Sequence, residues 1–294
     1  MSATVIAIAN NKGGTGKTTT ACNLAAGLAR SLREGGKSTG AVLLVDLDPQ
    51  SNCADFFGMQ NRVYRKDSNE DGACVSFVIT GNASGQTLRE NVLSLDRPKE
   101  DLRRPNLFLL PSSHYLEGAA IQLRVIEGLR AQQGGPLRGQ IPLDEVLERT
   151  LAPALGVFSY IILDCPPKLD VLKVAVYRFA DKVIVPTKPD WLSVTSTVDH
   201  TNEMAIVKRE HGAKAQIEMV LPTMAVARQV SDKEMARDLI KAYGRHLIAR
   251  PIPLAVAVKE SPGAGGQTIF EYAPGSAPAA AYDALVQRVL KNGR

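Results

Sequence analysis

The chain has 294 residues, 45% of them hydrophobic and 22% charged, and 35 Lys or Arg against 30 Asp or Glu leave a net charge of +5. That length and balance exclude a stapled mini-scaffold, wholesale disorder and a coiled-coil rod, and they permit a polyanionic partner without requiring one. Cys22, Cys53, Cys74 and Cys165 lack the short Cys-x-x-Cys or Cys/His spacings of zinc and iron–sulfur sites, so they read as reduced, packed thiols.

Taken in chain order, Val5 to Ala9 is an apolar run of strand length, followed by a glycine-rich turn. Ala21, Leu24, Ala25, Leu28, Ala29 and Leu32 then recur at helical spacing. Ala41 to Val45 is continuously apolar and ends at Asp46, and Tyr160 to Leu163 does the same before Asp164. Such runs suit strands covered on both faces by helices, as in a parallel sheet. Leu107–Leu110, Lys182–Val185, Ile217–Leu221 and Leu247–Ile252 are further strand candidates, and helical patterns occupy about 114–131, 142–152, 168–179, 191–210, 229–243 and 278–291. The repeated β-then-α order predicts an α/β fold: one doubly wound, mostly parallel sheet with helices on both faces. A single domain over 1–294 is expected, with an irregular, charged excursion at about 61–105 lying on the surface around one short helix or strand.

The most informative segment is Lys12-Gly13-Gly14-Thr15-Gly16-Lys17-Thr18-Thr19, set between a predicted strand and a predicted helix. Phosphate oxygens need several backbone N–H groups converging on them, and glycines let the chain curl closely enough to supply them at a helix N-terminus. Lys17 is then placed to reach the terminal phosphates of a nucleoside triphosphate, and the Thr18 hydroxyl to ligate Mg²⁺. The ordinary pattern has glycine at position 11, where this chain has Asn11, and it carries an extra lysine, Lys12. Asp46 ends a buried strand, and Asp48 follows just beyond it, at the carboxyl edge of the sheet where open α/β folds place ligands.

These residues resemble the ParA/MinD group of deviant Walker A ATPases. The likeness continues through Val45-Asp46-Leu47-Asp48-Pro49-Gln50, through Ile162-Leu163-Asp164-Cys165-Pro166-Pro167, which is similar to the group's Walker B segment, and through Glu260-Ser261-Pro262 and Phe270-Glu271-Tyr272-Ala273-Pro274. The resemblance implies an ATPase using ATP and Mg²⁺, slow and partner-stimulated, in which Lys12 reaches across a homodimer to the partner's nucleotide. It implies that Asp48 orients the attacking water, that Thr18, Asp48 and Asp164 serve the metal, and that Thr223 and Pro253 lie near the base. Asp46 reads as a structural carboxylate, and Pro166-Pro167 as a stiff segment that senses the terminal phosphate.

From Glu203 to Arg294 there are 13 Lys or Arg against 9 Asp or Glu, so the last third holds most of the excess charge. Lys233, Arg237, Lys241 and Arg245 recur every four residues, which on one helix makes a slowly drifting basic stripe. That stripe, with Arg228 at a position matching a basic residue of the group, is a candidate face for nonspecific DNA; a solvated helix face is the plain alternative. The run Ile252 to Val258 lacks the arginines that many ParA proteins carry there. The resemblance also implies a ParB-like adaptor, a role in plasmid or chromosome partition, and a cytoplasmic, nucleoid-associated location. Two further readings are a ParA-like ATPase positioning another cargo on the nucleoid and a MinD-like membrane-cycling ATPase. The last helix, with Tyr282, Leu285, Val286, Val289 and Leu290 on one side and few cations, reads as core packing, so no stable membrane association is expected.

Overall fold

The computed structural model describes residues 2–34, 40–64, 72–80, 87–133, 141–168, 171–226 and 230–292. In chain order the elements are β1 (Thr4–Ile8), α1 (Lys17–Glu34), β2 (Val42–Asp46), α2 (Asn52–Phe56), α3 (Val75–Thr80), α4 (Leu88–Asn91), β3 (Leu93–Ser94), β4 (Leu107–Leu110), α5 (Tyr115–Gln133) and α6 (Val146–Leu155). They continue with β5 (Tyr160–Asp164), α7 (Lys173–Phe179), β6 (Lys182–Thr187), α8 (Trp191–His211), β7 (Gln216–Pro222), α9 (Val230–Tyr243), α10 (Val256–Glu260), α11 (Ile269–Tyr272) and α12 (Ala277–Asn292). The strands form one sheet in the order β3-β4-β2-β5-β1-β6-β7, parallel throughout except for the β3–β4 pair.

Strand side chains alternate between two cores, as the period of two demands. Val5, Ala7, Leu43, Val45, Ile161 and Leu163 face one side with Leu123, Leu147, Leu151, Val176 and Met204 of the covering helices. Ile6, Ile8, Val42, Leu44, Tyr160 and Ile162 face the other with Leu24 and Leu28 of α1 and Tyr282, Leu285 and Val286 of α12. The apolar side of α12 is thus core, packed so tightly on α1 that a Cβ on Gly27 would stand 2.5 Å from Val286. Among the described residues no helix is long and apolar enough to cross a membrane.

Two expectations change. The 247–252 segment is not a strand: it touches β7 through the isolated Val220–Ile248 bridge, with Ala249 N–H bonded to Val220 O and Ile252 N–H to Pro222 O. Pro251 and Pro253 have no N–H to donate, so a continuous ladder cannot form. Within 61–105 the described part holds α3, α4 and β3, not one element, and it buries Val63, Val75, Leu93, Leu95 and Leu102. β3 covers the edge that β4 would otherwise leave unpaired.

The chain leaves β1 through α1 toward β2 on one side, and leaves β5 through α7 toward β6 on the other. The crevice between the carboxyl ends of β1 and β5, where Ile8 and Asp164 are in register, is therefore the topological switch point.

Candidate functional site

β1 delivers the loop at 9–16 into the first turn of α1, whose Thr20 N–H already bonds Gly16 O at 2.9 Å. Gly14 and Gly16 have φ of 68° and 80°, a left-handed conformation that side chains resist, so both glycines are required by the backbone. Gly13, Gly14, Thr15, Gly16, Lys17, Thr18 and Thr19 are contiguous around this turn, and Gly14, Gly16, Lys17, Thr18 and Thr19 line a cleft of about 1510 Å³ together with Asp48, Pro166 and Pro167.

The loop is tied to α8 and its approach by side chains. Asn10 Nδ2 donates to Pro186 O and Thr197 Oγ1, Asn11 Nδ2 donates to Glu203 Oε2, and Asn11 Oδ1 pairs with His200 Nδ1 at 3.0 Å. Asn11 stands where the ordinary motif has glycine because its amide carries these two bonds. Burial, with Lys173 and Lys17 nearby, outweighs the Glu203 carboxylate and lowers the His200 pKa to about 4. The unfolded chain takes up that proton near pH 6.5, so stability is full above 6.5 and falls as pH drops toward 4. His200→Gln is expected to shrink the wild-type advantage by on the order of 2–3 kcal/mol between pH 7 and pH 4.5. Urea unfolding at the two pH values checks this, and a pH-independent difference would rule it out.

Lys17 is buried, and its Nζ donates to Lys12 O at 3.0 Å. Burial lowers its pKa against the pull of Asp164, Cys165 and Asp48. Lys12 points elsewhere: its Nζ is 2.9 Å from Asp190 Oδ1 and 2.8 Å from Ser193 Oγ, at the N-cap of α8, and it does not line the cleft.

Asp46 and Asp164 end adjacent strands in register. Both Asp46 oxygens accept backbone N–H groups, Oδ1 from Asp48 and Oδ2 from Cys53, so this carboxylate organises the turn after β2. Asp48 lines the cleft, and its Oδ1 also accepts the Gln50 N–H at 3.0 Å. Asp164 is fully buried; Oδ2 accepts the Cys53 thiol at 3.3 Å, and Oδ1 has no hydrogen-bond partner. Burial raises the Asp164 pKa to about 6, the Thr18 hydroxyl and Cys53 thiol holding it down and Asp48 pushing it up. An unpartnered buried carboxylate oxygen beside a threonine hydroxyl and a buried lysine suits a hard divalent cation with its water shell.

The expected base contacts are placed differently. The Thr223 hydroxyl donates to Thr15 O at 2.8 Å and so supports the phosphate loop from beneath, while Pro253 pairs with Ala225; neither lines the cleft, which has Met224 there. The outer wall instead includes Arg97, Glu100, Pro262, Gly263, Gly265 and Gly266, which nothing in the local sequence marks as cleft residues.

Arg228 lies outside the described residues. Lys233 is on α9, and Arg237 and Lys241 are exposed on the same helix, but Arg245 lies beyond its end at Tyr243. Gly244, at φ 78°, ends the helix, so the four cations do not share one helical face. Exposed Glu234 and Asp238 lie among them, while Leu239 anchors α9 to the core.

A model of the AAA domain family matches residues 3–219. The chain is 29% identical over 294 residues to the chromosome partitioning protein ParA of Caulobacter vibrioides, covering 99% of this chain and 95% of that protein. It is 29% identical over 289 residues to the sporulation initiation inhibitor protein Soj of Bacillus subtilis, covering 98% and 99%. Its fold is similar to that of a Cyanothece McdA variant in complex with ATP, with a TM-score of 0.76 and 22% identity over 98% of this chain and 96% of that one. Strand order, glycine loop and family match agree: the chain belongs to the AAA domain family, in its ParA/Soj-type branch of deviant phosphate-loop ATPases.

Proposed function

We propose that this chain is a single-domain ATP-driven switch that binds ATP with Mg²⁺ and pairs with a second copy around two nucleotides. As a dimer it holds DNA nonspecifically, and adaptor-stimulated hydrolysis resets it in plasmid or chromosome partition. The observation that carries the reading is the opposed placement of two lysines on one loop: Lys17 is buried inside its own cleft, and Lys12 is turned out of it toward α8. To serve a second copy's cleft, Lys12 exchanges its ion pair with Asp190 for that copy's nucleotide.

In this reading the N–H groups of residues 13 to 19 cradle the phosphates, and Lys17 holds the terminal ones. Thr18 and Asp164 would hold Mg²⁺, with Asp48 close by; the bound ion supplies charge neutralisation at the terminal phosphate. Asp48 orients the water, and Pro166-Pro167 couples the cleft to the dimer surface. Arg237 and Lys241, with Arg228, Lys233 and Arg245, supply phosphate contacts that are individually weak and strengthened when a dimer doubles them. The reading includes a ParB-like adaptor and a cytoplasmic, nucleoid-associated location; a 29% identical relative named as a chromosome partitioning protein supports the partition role.

Size exclusion with and without ATP and Mg²⁺ tests this. Wild type is expected to dimerise only with ATP, Lys12→Ala to stay monomeric, and Asp48→Ala to accumulate as an undissociating dimer. A Lys12→Ala chain that dimerises and hydrolyses normally overturns the trans-acting lysine. In the same preparations, DNA retention across a salt series is expected to fall on charge reversal at Arg237 and Lys241; unchanged retention removes α9 from the DNA face.

A further inference from the structure

Cysteine spacing along the chain offers no metal site, but the fold assembles one kind of donor set that the spacing conceals. Asp46 at the end of β2, Asp164 at the end of β5 and Cys53 in α2 each present a ligand atom, all within 4.8 Å of one another, and all three residues are fully buried. Cys22 of α1 is buried as well, and burial pushes its thiol pKa up. The switch proposed above uses Asp164 and leaves both thiols without a task.

The spacing of the Cys53–Asp164 pair is that of two ligands of one soft cation, with the thiol proton in the cation's place. Zinc holds thiolate sulfur at about 2.3 Å and carboxylate oxygen at about 2.0 Å, which at a tetrahedral angle separates the two donors by about 3.5 Å. Cys53 Sγ and Asp164 Oδ2 are 3.3 Å apart. Asp164 Oδ1 is buried and has no hydrogen-bond partner among the described residues, which leaves it a free acceptor. Two carboxylates and a thiol enclosed together, with Lys17 as a neighbouring cation of Asp164, favour a dication electrostatically. The sulfur donor selects against Mg²⁺, which takes oxygen ligands, and for the zinc class.

We propose that Cys53 and Asp164, with Asp46 as third ligand, form a binding site for a soft divalent cation of the zinc class beneath the phosphate loop. Binding exchanges the Cys53 thiol proton for the metal: the S–H bond breaks, a sulfur–metal bond forms, and the proton leaves to solvent with no change of oxidation state. Because Asp164 is shared, the soft cation and Mg²⁺ compete for one carboxylate.

The test uses the reduced full chain without nucleotide, titrated with Co²⁺ as a spectroscopic probe in the presence of excess Mg²⁺, so it does not depend on ATP hydrolysis or dimerisation. Expected are one Co²⁺ per chain, near-ultraviolet thiolate-to-cobalt absorption, and release of a proton. Cys53→Ser and Cys53→Ala are expected to lose the absorption and at least about tenfold in affinity, while Cys74→Ser keeps both. Two variants guard against a folding defect in one, with circular dichroism as the check on each. Absence of the absorption in wild type overturns the proposal, as does its persistence in either Cys53 variant.

Discussion

Lys17→Ala is expected to weaken ATP binding by at least about 100-fold, because two charge-assisted hydrogen bonds to phosphate are lost at roughly 1.5–3 kcal/mol each. In the free protein the Lys17 ammonium is buried at the mouth of α1 and spends one donor on Lys12 O. The acidic groups around it, Asp164 and Asp48 foremost among the carboxylates, repel a triphosphate once that cation is gone. Lys17→Arg is no rescue, since a planar fork cannot occupy the space of a compact ammonium inside a loop held at Gly14 and Gly16. Isothermal titration with ATP and Mg²⁺ reads the effect. Affinity within a few-fold of wild type would remove Lys17 from the phosphate site and with it the reading of the cleft.

Arg104→Ala is expected to destabilise the fold by roughly 2–4 kcal/mol. Arg104 is a buried cation from the charged 61–105 stretch: its Nε and Nη2 clamp Glu271 at 2.7 and 2.6 Å, Nη2 also bonds Gly266 O at 2.8 Å, and the guanidinium lies 5.1 Å from the centre of the Phe57 ring. Glu271 is itself the third residue of a capping box on α11, accepting from Thr268 N and Oγ1. Removing Arg104 leaves that carboxylate partly enclosed and frees the loop at 262–266, which borders the cleft. The Glu271 side chain is 29% exposed, which places the cost below that of a wholly buried broken pair. Burial raises the Glu271 pKa, but Arg104 and Thr268 outweigh it and hold the acid below its usual range. The stabilisation is therefore present above about pH 4.5 and lost as pH falls through the folded value, so the deficit of Arg104→Ala should shrink in acid. Urea unfolding at pH 7 and pH 4 checks both statements. Equal stability of the two proteins at pH 7 would mean that Arg104 only covers surface.

The sheet and the phosphate loop were legible because their signals are local. Continuous apolar runs ending in Asp46 and Asp164, and glycines that must turn where side chains cannot, depend on neighbours a few residues away. The six main parallel strands and the helices from 114 to 291 follow that periodicity to within a few residues. The 247–252 segment has the same apolar look, but its prolines withhold the donors that a strand needs. Arg245 misleads in the opposite way, since its four-residue spacing holds only while the helix lasts, and Gly244 stops it.

By itself, then, the order of residues determined the doubly wound architecture, the anion-binding turn and the pair of strand-end carboxylates, because backbone geometry and hydrophobic period act over short distances. Only the tertiary structure decided where the long side chains go. Lys12 rests on Asp190, Asn11 is held by His200 and Glu203, and Thr223 supports Thr15. It likewise brought Cys53 to Asp164, 111 residues away. Each of these contacts joins segments far apart in the chain, and what pairs them is the register of the sheet and the burial of polar groups that must find a partner, neither of which any local pattern encodes.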